Sequence, residues 1–215
     1  MSTVAHTIKN ELQNKANISC AIMNLLDFYI PYRGNMRRNR LRANSIENLP
    51  DDATIIKQNQ ELREKIDFDD PQNIDWDLLI LGIEQLKYKL KPFNKPVYDR
   101  FKKIRTEETH KIEPQQVIII EGDLIFCKEK LRALFDLSVY IDTDDDVRLS
   151  RRVLKNELLQ EGRDKIPLAE LLKTYEEKTK PAFERYIEPT KKFANTIIPN
   201  YGFSTKALEL DKMVI

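Results

Sequence analysis

An aliphatic run, VIII (117–120), ends in Glu121, Gly122 and Asp123. Four consecutive branched aliphatics have neither a helical nor an alternating period, which predicts a strand buried on both faces of a parallel sheet. Ligands of open α/β sheets bind at the carboxyl ends of the strands. A carboxylate followed by a flexible glycine at that point is suited to handling a nucleotide, and Glu121 is the foremost candidate. A second run, LSVYI (137–141), also ends in acid, Asp142-Thr143-Asp144-Asp145-Asp146, and leads into a basic helix over 148–155. Metal-cage chemistry has little support. His6 and His110 have no ligand-spaced neighbours, and Cys20 and Cys127 read as reduced, partly buried thiols of a cytoplasmic protein.

The elements that must position these residues follow from periodicity. Val4, Ile8 and Leu12 predict a helix over 3–15 with one buried stripe, and ISCAIMNLL (18–26) predicts the first strand. A third helix-forming stretch carries Leu78, Leu79, Ile83, Leu86 and Leu90, with acids before it that complement its dipole. An extended segment begins at residue 95, and charged residues 100–113 bridge to the central strand. Beyond the second aliphatic strand, 147–158 and 168–187 read as helices, the latter kinked at Pro181, and 196–199 as a short strand. Helices connecting aliphatic strands imply βαβ units: an α/β fold with a parallel sheet flanked by helices. The five arginines of RGNMRRNRLR (33–42) read as a solvated loop or helix face, and 33–65 as a surface insertion.

Composition narrows the classes. The 215 residues suit a single domain over 1–215, with 36 Lys and Arg against 35 Asp and Glu. A net charge of +1 provides no global field to recruit nucleic acid or a membrane surface. No apolar run approaches the length of a membrane-spanning helix.

From residue 67 to residue 199 the order of motifs resembles the uridine (uridine–cytidine) kinase family of P-loop nucleoside kinases. The motifs are FDDP with IDWDLL, KPVYD, IIEGDLIF, YIDTDDDVRLSRRVL, EGRD, KPAFERYIEPTKKFAN and TIIPN. The resemblance implies transfer of the γ-phosphate of ATP to the 5′-hydroxyl of a pyrimidine nucleoside in nucleoside salvage, with Mg²⁺, in a homo-oligomer. It also implies roles for particular residues. Glu121 and Ser2 would serve the metal; Ser2, Thr3, Arg152 and Lys155 the nucleotide; Asp69 the ribose hydroxyls; Tyr98 the base; and Arg163, within a lid-like region over 151–164, the substrate.

The sequence departs from that family in two ways. No G-x-x-x-x-G-K-[ST] loop is present, since Gly34, Gly82, Gly122, Gly162 and Gly202 are widely separated, and the match begins at Ser2. The family strand before that loop, which lies between those matching 117–120 and 137–141, is absent as well. The expectation is that residues precede Met1 in the natural protein, or that the product folds differently. The acceptor site departs too. Leu26 stands where the family has its general base, with Asp27 one residue away, and Lys103 and Glu161 replace a His and an Arg. Three readings are compatible: a nucleoside kinase whose sequence starts late, a non-catalytic relative that binds nucleoside or an active partner subunit, and a P-loop kinase with another acceptor.

Overall fold

The computed structural model describes residues 2–30, 67–99, 104–158 and 166–200. The arginine-rich stretch, the rest of the 33–65 insertion, Lys103, Glu161 and Arg163 lie outside the described residues. The contacts divide the chain into two compact units, residues 1–24 with 115–215, and residues 25–114.

In the first unit, helix α1 (Ser2–Ala16) leads into β1 (Cys20–Asn24), which pairs in parallel with β4 (Val117–Glu121). The pair is clamped ahead of its first residues. Ser19 N–H donates to Gln116 Oε1 (2.9 Å), and Gln116 N–H donates to Ser19 Oγ (3.1 Å). That reciprocal clamp joins residues 97 positions apart and fixes a register in which Asn24 faces Glu121. The buried stripe of α1 is shifted from the expected one: Ala5 is buried, Val4 and Leu12 are half-buried, and Ile8 is exposed.

The expectation that β4 is buried on both faces also needs correction. Val117 to Ile120 are half-buried, and Glu121 is the buried residue of the strand. The reason is topological. Among the described residues β4 pairs with β1 alone, so it lacks the second neighbour of a central strand.

The second parallel pair is β5 (Val139–Asp142) with β6 (Thr196–Pro199). Ser138 and Asn195 tie its entry through Ser138 N–H to Asn195 Oδ1 (2.8 Å) and Asn195 N–H to Ser138 Oγ (3.0 Å). No described strand joins β4 to β5. After β5, α3 (Asp145–Leu158) starts on two acids in its first turn, which the helix dipole favours. Next, α4 (Leu168–Thr174) continues through π-helical turns at Tyr175–Thr179 and Phe183–Ile187. The π turns flank Pro181, whose missing N–H cannot continue an α-helical ladder, so the expected kink takes the form of widened turns.

The second unit is built on an antiparallel ribbon, β2 (Phe93–Asp99) with β3 (Ile104–Ile112). The sequence reading placed a charged bridge where β3 runs. Its residues RTEETHK are largely exposed and present no apolar face, so pairing with β2 is what makes them a strand. Register shifts between Pro96 and Tyr98, at a residue that has no N–H for the ladder, so that Tyr98 faces Arg105. Helix α2 (Trp76–Lys87) is capped by Asp75, whose Oδ1 accepts from Leu78 N–H (3.2 Å). Its buried face, Leu79, Ile83 and Leu86, packs with Phe28 and Phe93 in the unit's core. The rings of Phe28 and Phe93 are parallel with centroids 6.4 Å apart.

Candidate functional site

The first unit contributes the strand-end carboxylate. Glu121 is the last residue of β4 and only 8% exposed, and its Oε1 accepts a hydrogen bond from Asn24 Nδ2 (2.9 Å). The parallel register sets both side chains at the carboxyl ends of neighbouring strands, and an amide there orients the carboxylate without competing for its charge. Ser2 is the first residue of α1, and the side chains of Ser2 and Thr3 lie outside the described residues. Arg152 and Lys155 are exposed on α3, three residues apart, whereas the preceding Arg151 reaches the Asn200 carbonyl (3.3 Å) at the end of β6.

The second unit contributes an aromatic cluster. The ring of Tyr29 meets Phe68 at 5.0 Å edge-on and Tyr98 at 5.8 Å tilted, and Phe68 meets Tyr98 at 6.1 Å edge-on. The Tyr29 hydroxyl donates to the Phe68 carbonyl, which pins the residue immediately before Asp69. Asp69 N–H donates to Asp67 Oδ1 (2.9 Å), and Asn73 Nδ2 donates to the Asp67 carbonyl (2.8 Å), shaping the turn that carries the Asp69 carboxylate. The bridge between Tyr29 and Ile74 holds this turn against the segment after β1.

Arg105 braces the cluster. Its Nη1 donates to Asp75 Oδ2 and its Nη2 to the Tyr29 carbonyl, both at 3.0 Å. Two buried polar atoms of this cluster make no hydrogen bond among the described residues, the Tyr98 hydroxyl and Arg105 Nε. Burial pushes the Tyr98 phenol above its ordinary range, while Arg105 pulls it back and Asp99 adds to the rise, so it stays a neutral donor. A buried donor with no acceptor costs on the order of 1–3 kcal/mol. A ligand offering an acceptor here would recover that cost.

Asp27 lies on the 3₁₀ turn Leu25–Phe28, and Lys95 of β2 donates to its carboxylate. The structure therefore brings Tyr98 and Asp69 to one cluster and gives Asp27 a lysine partner. Reading the sequence alone missed Asn24, Tyr29, Phe68, Lys95 and Arg105. The DFY and FDDP segments already held Tyr29 and Phe68 next to predicted residues. Asn24 and Arg105 act through strand register, which no local pattern encodes.

Among the described residues no group of three or more His, Cys, Asp or Glu side chains converges on a metal. Mg²⁺ needs no such cage, because it binds through one or two carboxylates with waters and substrate phosphates. An amide-oriented carboxylate at a strand end is a fitting donor for it.

The sequence profile of the phosphoribulokinase/uridine kinase family matches residues 1–206. A uridine kinase of Latilactobacillus sakei is 39% identical over 168 residues, 77% of each chain. A uridine kinase of Listeria monocytogenes is 41% identical over 150 residues, covering 70% of this chain and 69% of its own. The fold is similar to that of D-glycerate 3-kinase from Cryptococcus neoformans, with a TM-score of 0.59 at 14% identity over 88% of this chain and 76% of that one. A profile spanning nearly the whole chain and relatives near 40% identity settle the family: this chain belongs to the phosphoribulokinase/uridine kinase family.

Proposed function

We propose that the chain is a uridine/cytidine-kinase-like protein, whose family reaction moves the γ-phosphate of ATP to the 5′-hydroxyl of a pyrimidine nucleoside. The observation that carries this reading is the Tyr29–Phe68–Tyr98 cluster with Asp69 on its adjoining turn. Aromatic faces take a base, the orphaned Tyr98 hydroxyl donates to a base carbonyl, and the Asp69 carboxylate accepts from the two ribose hydroxyls. Phosphoryl transfer relies mainly on positioning and charge neutralisation. Glu121, oriented by Asn24, would hold Mg²⁺, which supplies neutralisation of phosphate charge when bound. Arg152, Lys155 and Arg163 are the proposed phosphate-side and substrate-side cations, and Ser2 and Thr3 the proposed nucleotide contacts.

The proton of the acceptor hydroxyl is the weak point. Asp27 is the nearest match to the family base, yet its carboxylate is committed to an ion pair with Lys95. That pairing, with Leu26 in the family's base position, favours a second reading: a relative that binds nucleoside, or partners an active subunit, without turning it over.

Thermal shift with uridine, repeated on Asp69→Asn, tests nucleoside binding. A rise in melting temperature for the parent chain, lost in the variant, is expected; no rise in the parent would overturn the nucleoside reading. Turnover with ATP and Mg²⁺ then separates the two versions. The expected rate is negligible beside the ordinary enzyme median of about 10 s⁻¹. A rate within tenfold of that median would make Asp27 a working base.

A further inference from the structure

The ribbon of the second unit sets Tyr98 of β2 directly opposite Arg105 of β3, just past the register shift that begins at Pro96. Each residue of this pair holds a buried donor that makes no hydrogen bond among the described residues, the phenolic O–H of Tyr98 and the Nε–H of Arg105. Tyr98 is 9% exposed and the Arg105 side chain 17%, so the pair lies close beneath the surface while the two atoms themselves are shielded from water. The acceptors around them are already engaged. Asp75 Oδ2 takes Arg105 Nη1 and the Tyr29 carbonyl takes Nη2, both at 3.0 Å. Thr106 Oγ1 donates to the Val97 carbonyl (3.2 Å), between the two strands.

The two anchored nitrogens fix the plane of the guanidinium. Nε–H and the adjoining N–H of Nη2 lie along one edge of that plane and point the same way. Nε–H is therefore directed beside the Tyr29 carbonyl, and the Tyr29 ring packs on Tyr98 with centroids 5.8 Å apart. Burial raises the Tyr98 phenol, and the Arg105 charge is close enough to pull it back. A cation beside a phenol strengthens its O–H as a donor and weakens its oxygen as an acceptor.

Two unmet donors on facing residues, one of them cationic, call for an oxygen acceptor. Uracil, like thymine, presents the carbonyl O4 where cytosine presents an amino group, whereas O2 is common to both. Given the nucleoside reading above, we propose that Arg105 and Tyr98 together receive the O4 carbonyl of the base, so that this site selects uridine over cytidine. An amino group in that position would set its hydrogens against the two donors and leave both unsatisfied. A buried polar site rejects an analogue in that way. Arg105 then determines specificity as well as bracing the cluster.

Titration calorimetry of the whole chain with uridine and, separately, with cytidine tests this. Uridine is expected to bind about tenfold more tightly, as for one charge-assisted hydrogen bond. Tyr98→Phe removes only the unmet hydroxyl and retains the fold, which circular dichroism checks. It is expected to cut the preference to about threefold, by weakening uridine alone. Arg105→Lys keeps the charge and drops the Nε–H, and is expected to bring the preference below about threefold. Equal weakening of both nucleosides in Arg105→Lys would make Arg105 a brace only and overturn its assignment. Tyr98→Phe decides alone if Arg105→Lys does not fold: an unchanged preference in that variant would overturn the proposal. Equal affinity of the parent chain for the two nucleosides, or tighter binding of cytidine, would also overturn it while leaving the nucleoside reading in place. Binding of neither nucleoside would remove both.

Discussion

Lys95 on β2 and Asp27 on the turn after β1 form an ion pair with both side chains mostly buried, 13% and 17% exposed. The pair fastens the ribbon of the second unit to the turn that ends in Phe28 and leads to Tyr29. Removing one partner leaves the other charge desolvated and uncompensated. Lys95→Met is expected to lower unfolding stability by about 1–3 kcal/mol, below the cost of breaking a fully buried pair. Adding Asp27→Asn in the same chain should return part of that loss, as chemical denaturation of the double variant would reveal. Additive losses would show that the pair contributes nothing.

Gly82 lies on the buried face of α2 against Phe93. A Cβ there would meet the Phe93 ring at 2.6, 2.8 and 2.9 Å, and that ring is itself buried and stacked on Phe28. Gly82→Ala gains about 1 kcal/mol of helix propensity and loses about 1–3 kcal/mol to overpacking. The net expectation is a lower melting temperature, and an increase would mean that the ring moves without cost.

Asn156 is 6% exposed on α3 and holds both backbone groups of Ile166: its Nδ2 donates to the carbonyl (2.9 Å), and its Oδ1 accepts from the N–H (3.1 Å). Asn156→Ala strands the two groups, at a cost of about 1–3 kcal/mol each if they stay buried. Urea denaturation should show a loss of that order. Equal stability of parent and Asn156→Ala would mean that water replaces both bonds.

Cys127 donates through Sγ to the Tyr186 carbonyl (3.2 Å), and burial, with Asp123 adding to it, pushes its thiol from 9.0 to about 11. The folded state therefore holds this proton more tightly than the unfolded one. The associated stability is complete below pH 9 and is lost as pH rises toward 11. Melting temperatures from pH 8 to 11 should fall more steeply for the parent than for Cys127→Ala. Alkylation of Cys127 at pH 8 should also be about a hundredfold slower than for a thiol at the ordinary value, following its thiolate fraction. Parallel pH profiles for parent and variant would contradict the shift.

The residues of one strand end or one turn were legible from the sequence because their placement depends on local chemistry. Glu121 follows an aliphatic run that only a strand accommodates, and Asp75 precedes an apolar helix it can cap. The family order of motifs from residue 67 to residue 199 likewise identified the fold class from the chain alone. Everything that depends on register between distant segments was decided by tertiary structure. Asn24 meets Glu121 because a clamp at Ser19 and Gln116 sets two strands in step across 97 positions. Asp27 acquires Lys95, and Tyr98 acquires Arg105, through a ribbon whose second strand has no apolar pattern to announce it. The half-burial of β4 has the same origin: aliphatic composition predicts a core strand, but burial requires neighbours, and those are a property of the assembled sheet.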